Sequence, residues 1–166
     1  EGRASDAAKS QLALLLTETG RPAEAAGILG PMVARAPNAD NLNGYGIALA
    51  DQDRPREAVA QFQRALELDP NNAPAFQNLG IVALRMNDVR AAQDYLRRSL
   101  EMNPRLPLAL NTLGVTYARQ NDFARAIDAW KQSVALDPKQ YDALFNIGLV
   151  AARNGRRDEA RQALAE

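Results

Sequence analysis

Residues 78–88, NLGIVALRMND, have the apolar spacing of an amphipathic helix, yet a glycine stands inside the pattern. Glycine in a helix interior costs about 1 kcal/mol relative to alanine, so Gly80 needs a compensating role. Its repetition supplies one. Gly46, Gly80, Gly114 and Gly148 follow one another at intervals of 34 residues. Twelve residues after each comes an alanine (Ala58, Ala92, Ala126, Ala160), and twelve after that a proline (Pro70, Pro104, Pro138), the last unit stopping short of its own. One step upstream Ala13, Ala25 and Pro37 form the same set offset by 33, so one residue is missing from the turn between the first two units. A fixed period of this length marks a stack of supersecondary units.

Within a unit the chain reads as helix, turn, helix, turn. In the third, Phe76, Leu79, Gly80 and Ala83 lie at i, i+3, i+4 and i+7, giving one apolar face to a helix over about 74–86. The MND at 86–88 is the break, with TG, QD, QND and NG as its counterparts. A second helix runs over about 89–102 through Ala92, Leu96, Ser99 and Leu100, and Asn103-Pro104 ends it, because proline cannot continue the hydrogen-bond ladder. The glycine and alanine rows are expected to meet where the two helices cross. A phosphate-binding role for Gly80 is excluded, since that needs a glycine-rich loop before a helix rather than one glycine within it.

The period, with Leu79-Gly80, Ala92, Leu96 and Pro104 in one unit and Leu113-Gly114, Tyr117, Ala126, Trp130 and Pro138 in the next, resembles the tetratricopeptide repeat family. The second unit matches through Tyr45-Gly46, Ala58, Phe62, Ala65 and Pro70, and the fifth through Ile147-Gly148, Ala160 and Leu164. The resemblance implies an all-α fold, a right-handed superhelical α-solenoid of antiparallel helix pairs. It divides one array over 1–166 into units at 6–38, 39–72, 73–106, 107–140 and 141–166, the last incomplete. The ends depart from the pattern: Lys9 stands where others have Leu42, Phe76, Leu110 and Leu144, Ala13 replaces the glycine, and Arg157 and Arg161 stand where Phe123 and Ile127 do.

Composition narrows the function. The chain has neither histidine nor cysteine, which removes the commonest general base, the commonest metal ligand and any disulfide. An enzyme is not expected, nor any catalytic residue, metal or cofactor. Net charge is zero, against general nucleic-acid binding, but residues 1–72 hold 7 basic and 10 acidic side chains and residues 73–166 hold 13 and 10. The longest apolar run, LALLL at 12–16, is far too short to span a membrane. The chain opens on Glu1 without a signal-like segment and is expected to be a soluble fragment or processed product, cytoplasmic or periplasmic. Its 17 arginines against 3 lysines suggest a GC-rich bacterial gene.

The family resemblance implies that the first helix of each pair lines a concave groove. Opposite the buried face, at about 100° per residue, four stripes recur. One is apolar (Leu14, Ile47, Ile81, Val115, Leu149) and one is small or amide-bearing (Gln11, Gly44, Asn78, Thr112, Asn146). A third is Ser10, Asn43, Gln77, Asn111 and Phe145, and the fourth changes sign from Glu18 and Asp51 to Arg85, Arg119 and Arg153. Amides both donate to and accept from a peptide backbone, and arginines pair with carboxylates. The candidate groove is therefore Asn43, Ile47, Gln77, Asn78, Ile81, Arg85, Asn111, Val115, Arg119, Asn146, Leu149 and Arg153, its ligand an extended, partly acidic protein segment.

Other readings are weaker. The lysines and asparagines that some family members use to grip a C-terminal EEVD carboxylate are not assembled on any three consecutive units. Asp51-Gln52-Asp53 has a metal-like spacing but falls in a turn, and Trp130, Phe62, Phe76 and Phe123 occupy core positions rather than a stacking face for bases. The basic stretch at 153–161 reads as the solvated face of a terminal repeat. The expected function is a non-catalytic protein-binding scaffold. The alternatives are the substrate-recruiting part of a larger enzyme or secretion or assembly machine, and self-association through Leu144, Ile147 and Leu164 at an uncapped last repeat.

Overall fold

The computed structural model describes residues 2–155, all of whose regular structure is helical. The helices are α1 (Gly2–Glu18), α2 (Pro22–Arg35), α3 (Ala39–Ala50), α4 (Pro55–Leu68), α5 (Ala73–Arg85), α6 (Val89–Met102), α7 (Pro107–Arg119), α8 (Phe123–Leu136) and α9 (Tyr141–Arg153). The fold is all-α, tandem helix pairs as expected from the period. Ala160, Leu164, Arg157 and Arg161, with most of the basic stretch, lie outside the described residues.

The turns are set by local chemistry. Each first helix ends at a residue with positive φ: Gly20 (74°), Asp53 (57°), Asn87 (63°), Asn121 (61°) and Gly155 (73°). The next N–H then reaches back five residues, Arg21 to the Leu16 carbonyl, Arg54 to Leu49, Asp88 to Ala83 and Asp122 to Tyr117. These bonds satisfy carbonyls that the helix end leaves open. The following helix starts at once, with proline in its first turn (Pro22, Pro55) or with an aspartate cap, the Asp88 Oδ1 accepting from the Ala91 N–H at 3.0 Å. Glycine is at ease at positive φ and aspartate is strained there. Asp53→Gly is therefore expected to raise stability by about 0.5–1 kcal/mol, read as a higher denaturant midpoint.

By chain contacts the protein divides into two compact units, Glu1–Val82 and Ala83–Glu166. In the first, α2 packs on α1 and α3, and α4 on α3. Its core comprises Ala13, Leu16, Ala25, Leu29, Met32 and Ala48, with a second cluster of Val33, Leu42, Ala65 and Ala75. In the second, α7 packs on α6 and α8, and α9 on α8, around Leu96, Leu113, Tyr117, Ala126, Trp130, Ile147 and Val150.

The glycine row has a sharper reason than expected. At Gly46 and Gly114 the nearest side chain is not the alanine of the second helix but the ring four residues beyond it, Phe62 and Trp130. A Cβ on Gly46 would lie 2.7 Å from Phe62 Cδ1, and one on Gly114 would lie 2.5 Å from Trp130 Cδ1. Real Cβ atoms do not approach that closely, so glycine vacates the space the ring fills. Trp130 is 2% exposed and its Nε1–H donates to the Asn111 carbonyl at 3.1 Å, which satisfies the buried indole.

Surface ion pairs repeat as well. Arg21 holds Glu24, and Arg54 holds Glu57, through paired 2.7 Å hydrogen bonds. The arginine hydrogen bonds depress both glutamates, and the Gln140 amide, followed by the Lys139 backbone N–H, depresses Asp137. A carboxylate lowered in the folded state contributes stability above its unfolded pKa, and loses it as pH falls through the folded value. No side chain here ordinarily titrates between about pH 6 and 8, since the chain lacks histidine and cysteine. Thermal melts are expected to be flat over that range and to fall below about pH 4.

Candidate binding groove

In the first unit, the faces of α1 and α3 opposite the second helices, with the start of α5, line a cavity of about 500 Å³. Leu14 and Ile47 form an apolar floor, Ser10, Gln11 and Asn43 bring polar groups, and Gly44 leaves the α3 wall open. Its charged lining is acidic, Glu18 and Asp40. Ser10 Oγ donates to Asn41 Oδ1 at 2.7 Å, and Asn78 Nδ2 donates to Asn43 Oδ1 at 2.9 Å. The amide stripe thus begins as a bonded pair. Each amide has further capacity, since a carboxamide offers two N–H donors and two lone pairs. Gln77 and Ile81 stand half-buried on α5.

In the second unit the candidates divide by role. Asn111 is only 8% exposed, and its Oδ1 is a buried acceptor with no hydrogen-bond partner among the described residues. Val115 and Asn146 are half-buried, and Leu149, Arg85 and Arg153 are exposed. Arg119 is engaged: its Nη1 donates to the Leu84 carbonyl at 3.1 Å and to Asn87 Oδ1 at 3.3 Å. The Leu84 carbonyl belongs to the last turn of α5, where a cation is favoured. One arginine of the row is therefore partly occupied in closing a helix end.

Sequence profiles described as tetratricopeptide repeat match residues 7–31, 38–105 and 111–166, most of the chain. The chain belongs to the tetratricopeptide repeat family. Among solved structures this tetratricopeptide array is similar to MamA from Desulfovibrio magneticus RS-1, at 25% identity over 95% of this chain and 92% of that one, with a TM-score of 0.74. It is also similar to pilF of Pseudomonas aeruginosa (20% identity, 98% and 75% covered, TM-score 0.87) and to a chain of the APC/C hetero-tetramer Cut9–Hcn1 (19%, 96% and 32%, TM-score 0.88). These last two likenesses establish the fold alone. A search of curated proteins finds no match.

Two residues that line the first unit's cavity escaped the sequence reading. Asp40 lines the cavity, and Asn41 is buried beneath it as the acceptor of Ser10. A signal for Asn41 existed: it interrupts a row otherwise made of Ala75, Ala109 and Ala143. Phe62, Phe76 and Trp130 are buried and Phe123 packs against the second unit's core. Asp53 serves the turn between α3 and α4, and no group of His, Cys, Asp or Glu among the described residues is placed to hold a metal ion. No helix among them is long and apolar enough to cross a membrane. Leu144 and Ile147, expected to lie open at the last repeat, are buried.

Proposed function

We propose that this tetratricopeptide array is a non-catalytic scaffold that binds an extended protein segment along the first helices of its repeats. The observation that carries the reading is the cavity over α1 and α3, an aliphatic floor bordered by amides and a hydroxyl. Such a lining suits a peptide: the floor takes a side chain, and the rim exchanges hydrogen bonds with the backbone. The carboxylates with shifted titration support the non-catalytic reading, since Glu24, Glu57 and Asp137 each serve an exposed ion pair or turn and none lines the cavity.

In the second unit the segment is partly acidic, its carboxylates meeting Arg85, Arg119 and Arg153, of which Arg119 also donates to the Leu84 carbonyl at the end of α5. A charge-assisted hydrogen bond contributes roughly 1.5–3 kcal/mol, about a factor of 10 or more in affinity. The test uses immobilised peptides of matched length and graded charge. Acidic peptides are expected to bind best, and Arg85→Glu with Arg153→Glu to weaken them about tenfold at low salt. Equal binding by the double variant would refute the acidic-ligand assignment.

A further inference from the structure

The second unit holds a cavity of about 430 Å³ that none of the groove candidates lines. Its floor is apolar, made by Leu110, Leu113 and Tyr117 of α7 with Leu100 of α6, and its rim on α8 carries Arg125, Asp128 and Gln132. Repeat register explains why the space is there. Ala129, on the α8 wall, stands where the first three repeats carry Ile28, Gln61 and Tyr95. Protein interiors close-pack, and in this repeat the side chain that would fill the hollow is cut back to a methyl.

The charge at the mouth is reversed in the same repeat. The first two repeats open their second helices with a cation and place a carboxylate three residues on, Arg21 with Glu24 and Arg54 with Glu57. In α8 the order is Asp122, then Arg125. The swap sets the Arg125 guanidinium over Tyr117, 5.8 Å from the ring centre, within the range of a cation–π contact. Arg97 Nη2 donates to the Tyr117 hydroxyl at 3.3 Å from the other side. The neighbouring carboxylates are engaged. Asp122 caps α8 through the Arg125 N–H and pairs with the Arg125 side chain at 3.5 Å, and Asp128 Oδ2 accepts from Gln132 at 2.8 Å. Two guanidinium groups thus meet at the edge of an apolar hollow.

We propose that this cavity is a second docking site, for a protein segment that inserts a leucine or phenylalanine side chain flanked by carboxylates. The floor takes the apolar side chain, and Arg97 and Arg125 take the carboxylates through charge-assisted hydrogen bonds. Charge complementarity selects the occupant, because a basic segment would bring its cations against the two arginines. The site uses a different face of α7 from Asn111, Val115 and Arg119, so it stands independently of the groove.

Proton–nitrogen correlation NMR on the 166-residue chain tests this, because the shifted amides report where a peptide sits. The probes are end-blocked pentapeptides, Gly-Asp-Leu-Asp-Gly with Gly-Asp-Gly-Asp-Gly and Gly-Lys-Leu-Lys-Gly as controls, and sodium octanoate. The first peptide should shift the amides of Leu100, Leu113, Arg125 and Ala129 saturably, and each control peptide should do so at least about tenfold more weakly. Ala129→Tyr, which installs the side chain of the third repeat, should abolish these shifts. Arg125→Glu, the residue type of positions 24 and 57, should weaken them about tenfold. Arg125 is 65% exposed, so the second variant is expected to keep its fold even if filling the cavity disturbs the core; circular dichroism checks both. Wild-type shifts absent from these amides, or unchanged affinity in either folded variant, would overturn the proposal. So would equal binding by the lysyl peptide, or a response to octanoate alone, which would make the hollow a site for small amphiphiles.

Discussion

Truncating Trp130 to alanine is expected to cost about 3–5 kcal/mol, a large part of the roughly 5–15 kcal/mol that holds a domain folded. The indole is the largest fully buried side chain described, and it joins helices α7, α8 and α9 in one cluster. Its loss removes apolar burial, leaves a void in a close-packed core, and strips the Asn111 carbonyl of the Nε1–H that reaches it. Urea unfolding followed by circular dichroism gives the measurement, since Trp130 is the only tryptophan and its fluorescence disappears with it. A loss under 1 kcal/mol would mean that the ring is not the keystone of the second unit.

The second large effect has a sign that helix propensity gets wrong. Gly114→Ala gains about 1 kcal/mol of intrinsic helix stability, yet a methyl there would stand 2.5 Å from Trp130 Cδ1. Overpacking of that kind costs about 1–3 kcal/mol or more, so the variant is expected to be less stable than wild type. Gly44→Ala makes the same chemical change on a different face, where the nearest atom is Leu29 Cδ1 at an ordinary 3.5 Å. It is expected to be more stable by roughly 0.5–1 kcal/mol. In a Trp130→Leu background, resembling the third repeat with its Leu96, the penalty of Gly114→Ala should shrink sharply, a coupling that a double-mutant cycle reads.

That contrast shows what the sequence could and could not yield. The period fixes helix, turn and register closely: α6 spans Val89–Met102 as read, and α5 spans Ala73–Arg85 where about 74–86 was expected. The small difference arises because Asn87 turns into positive φ and ends the helix a residue early. Spacing identifies which residues share a face, but not which atom each one meets. Gly46 and Gly114 were read as partners of alanines, and they make room for Phe62 and Trp130 instead.

The groove shows the same limit. A stripe of arginines is visible at 34-residue spacing, but Arg119 turns to the Leu84 carbonyl because a helix end offers it an acceptor. No one-dimensional pattern carries that choice. The Asn78–Asn43 bond and the burial of Asn111 likewise depend on how neighbouring first helices sit side by side. The acidic lining of the first cavity, by contrast, was half legible, since Glu18 belonged to the sign-changing stripe while Asp40 lay outside it.

The central claim is that the face of the first helices is what binds a partner chain, and Gly44 allows it to be tested without damage to the core. Gly44→Phe should place a ring in the cavity of about 500 Å³ lined by Leu14, Asn43, Gly44 and Ile47, since a Cβ on Gly44 would make only an ordinary 3.5 Å contact with Leu29 Cδ1. Isothermal titration of wild type and Gly44→Phe with the tightest-binding peptide from the graded set, alongside thermal melts, gives the comparison. The prediction is a melting temperature equal to or above wild type with affinity reduced at least about tenfold. A well-folded Gly44→Phe protein that binds the peptide as tightly as wild type would contradict it.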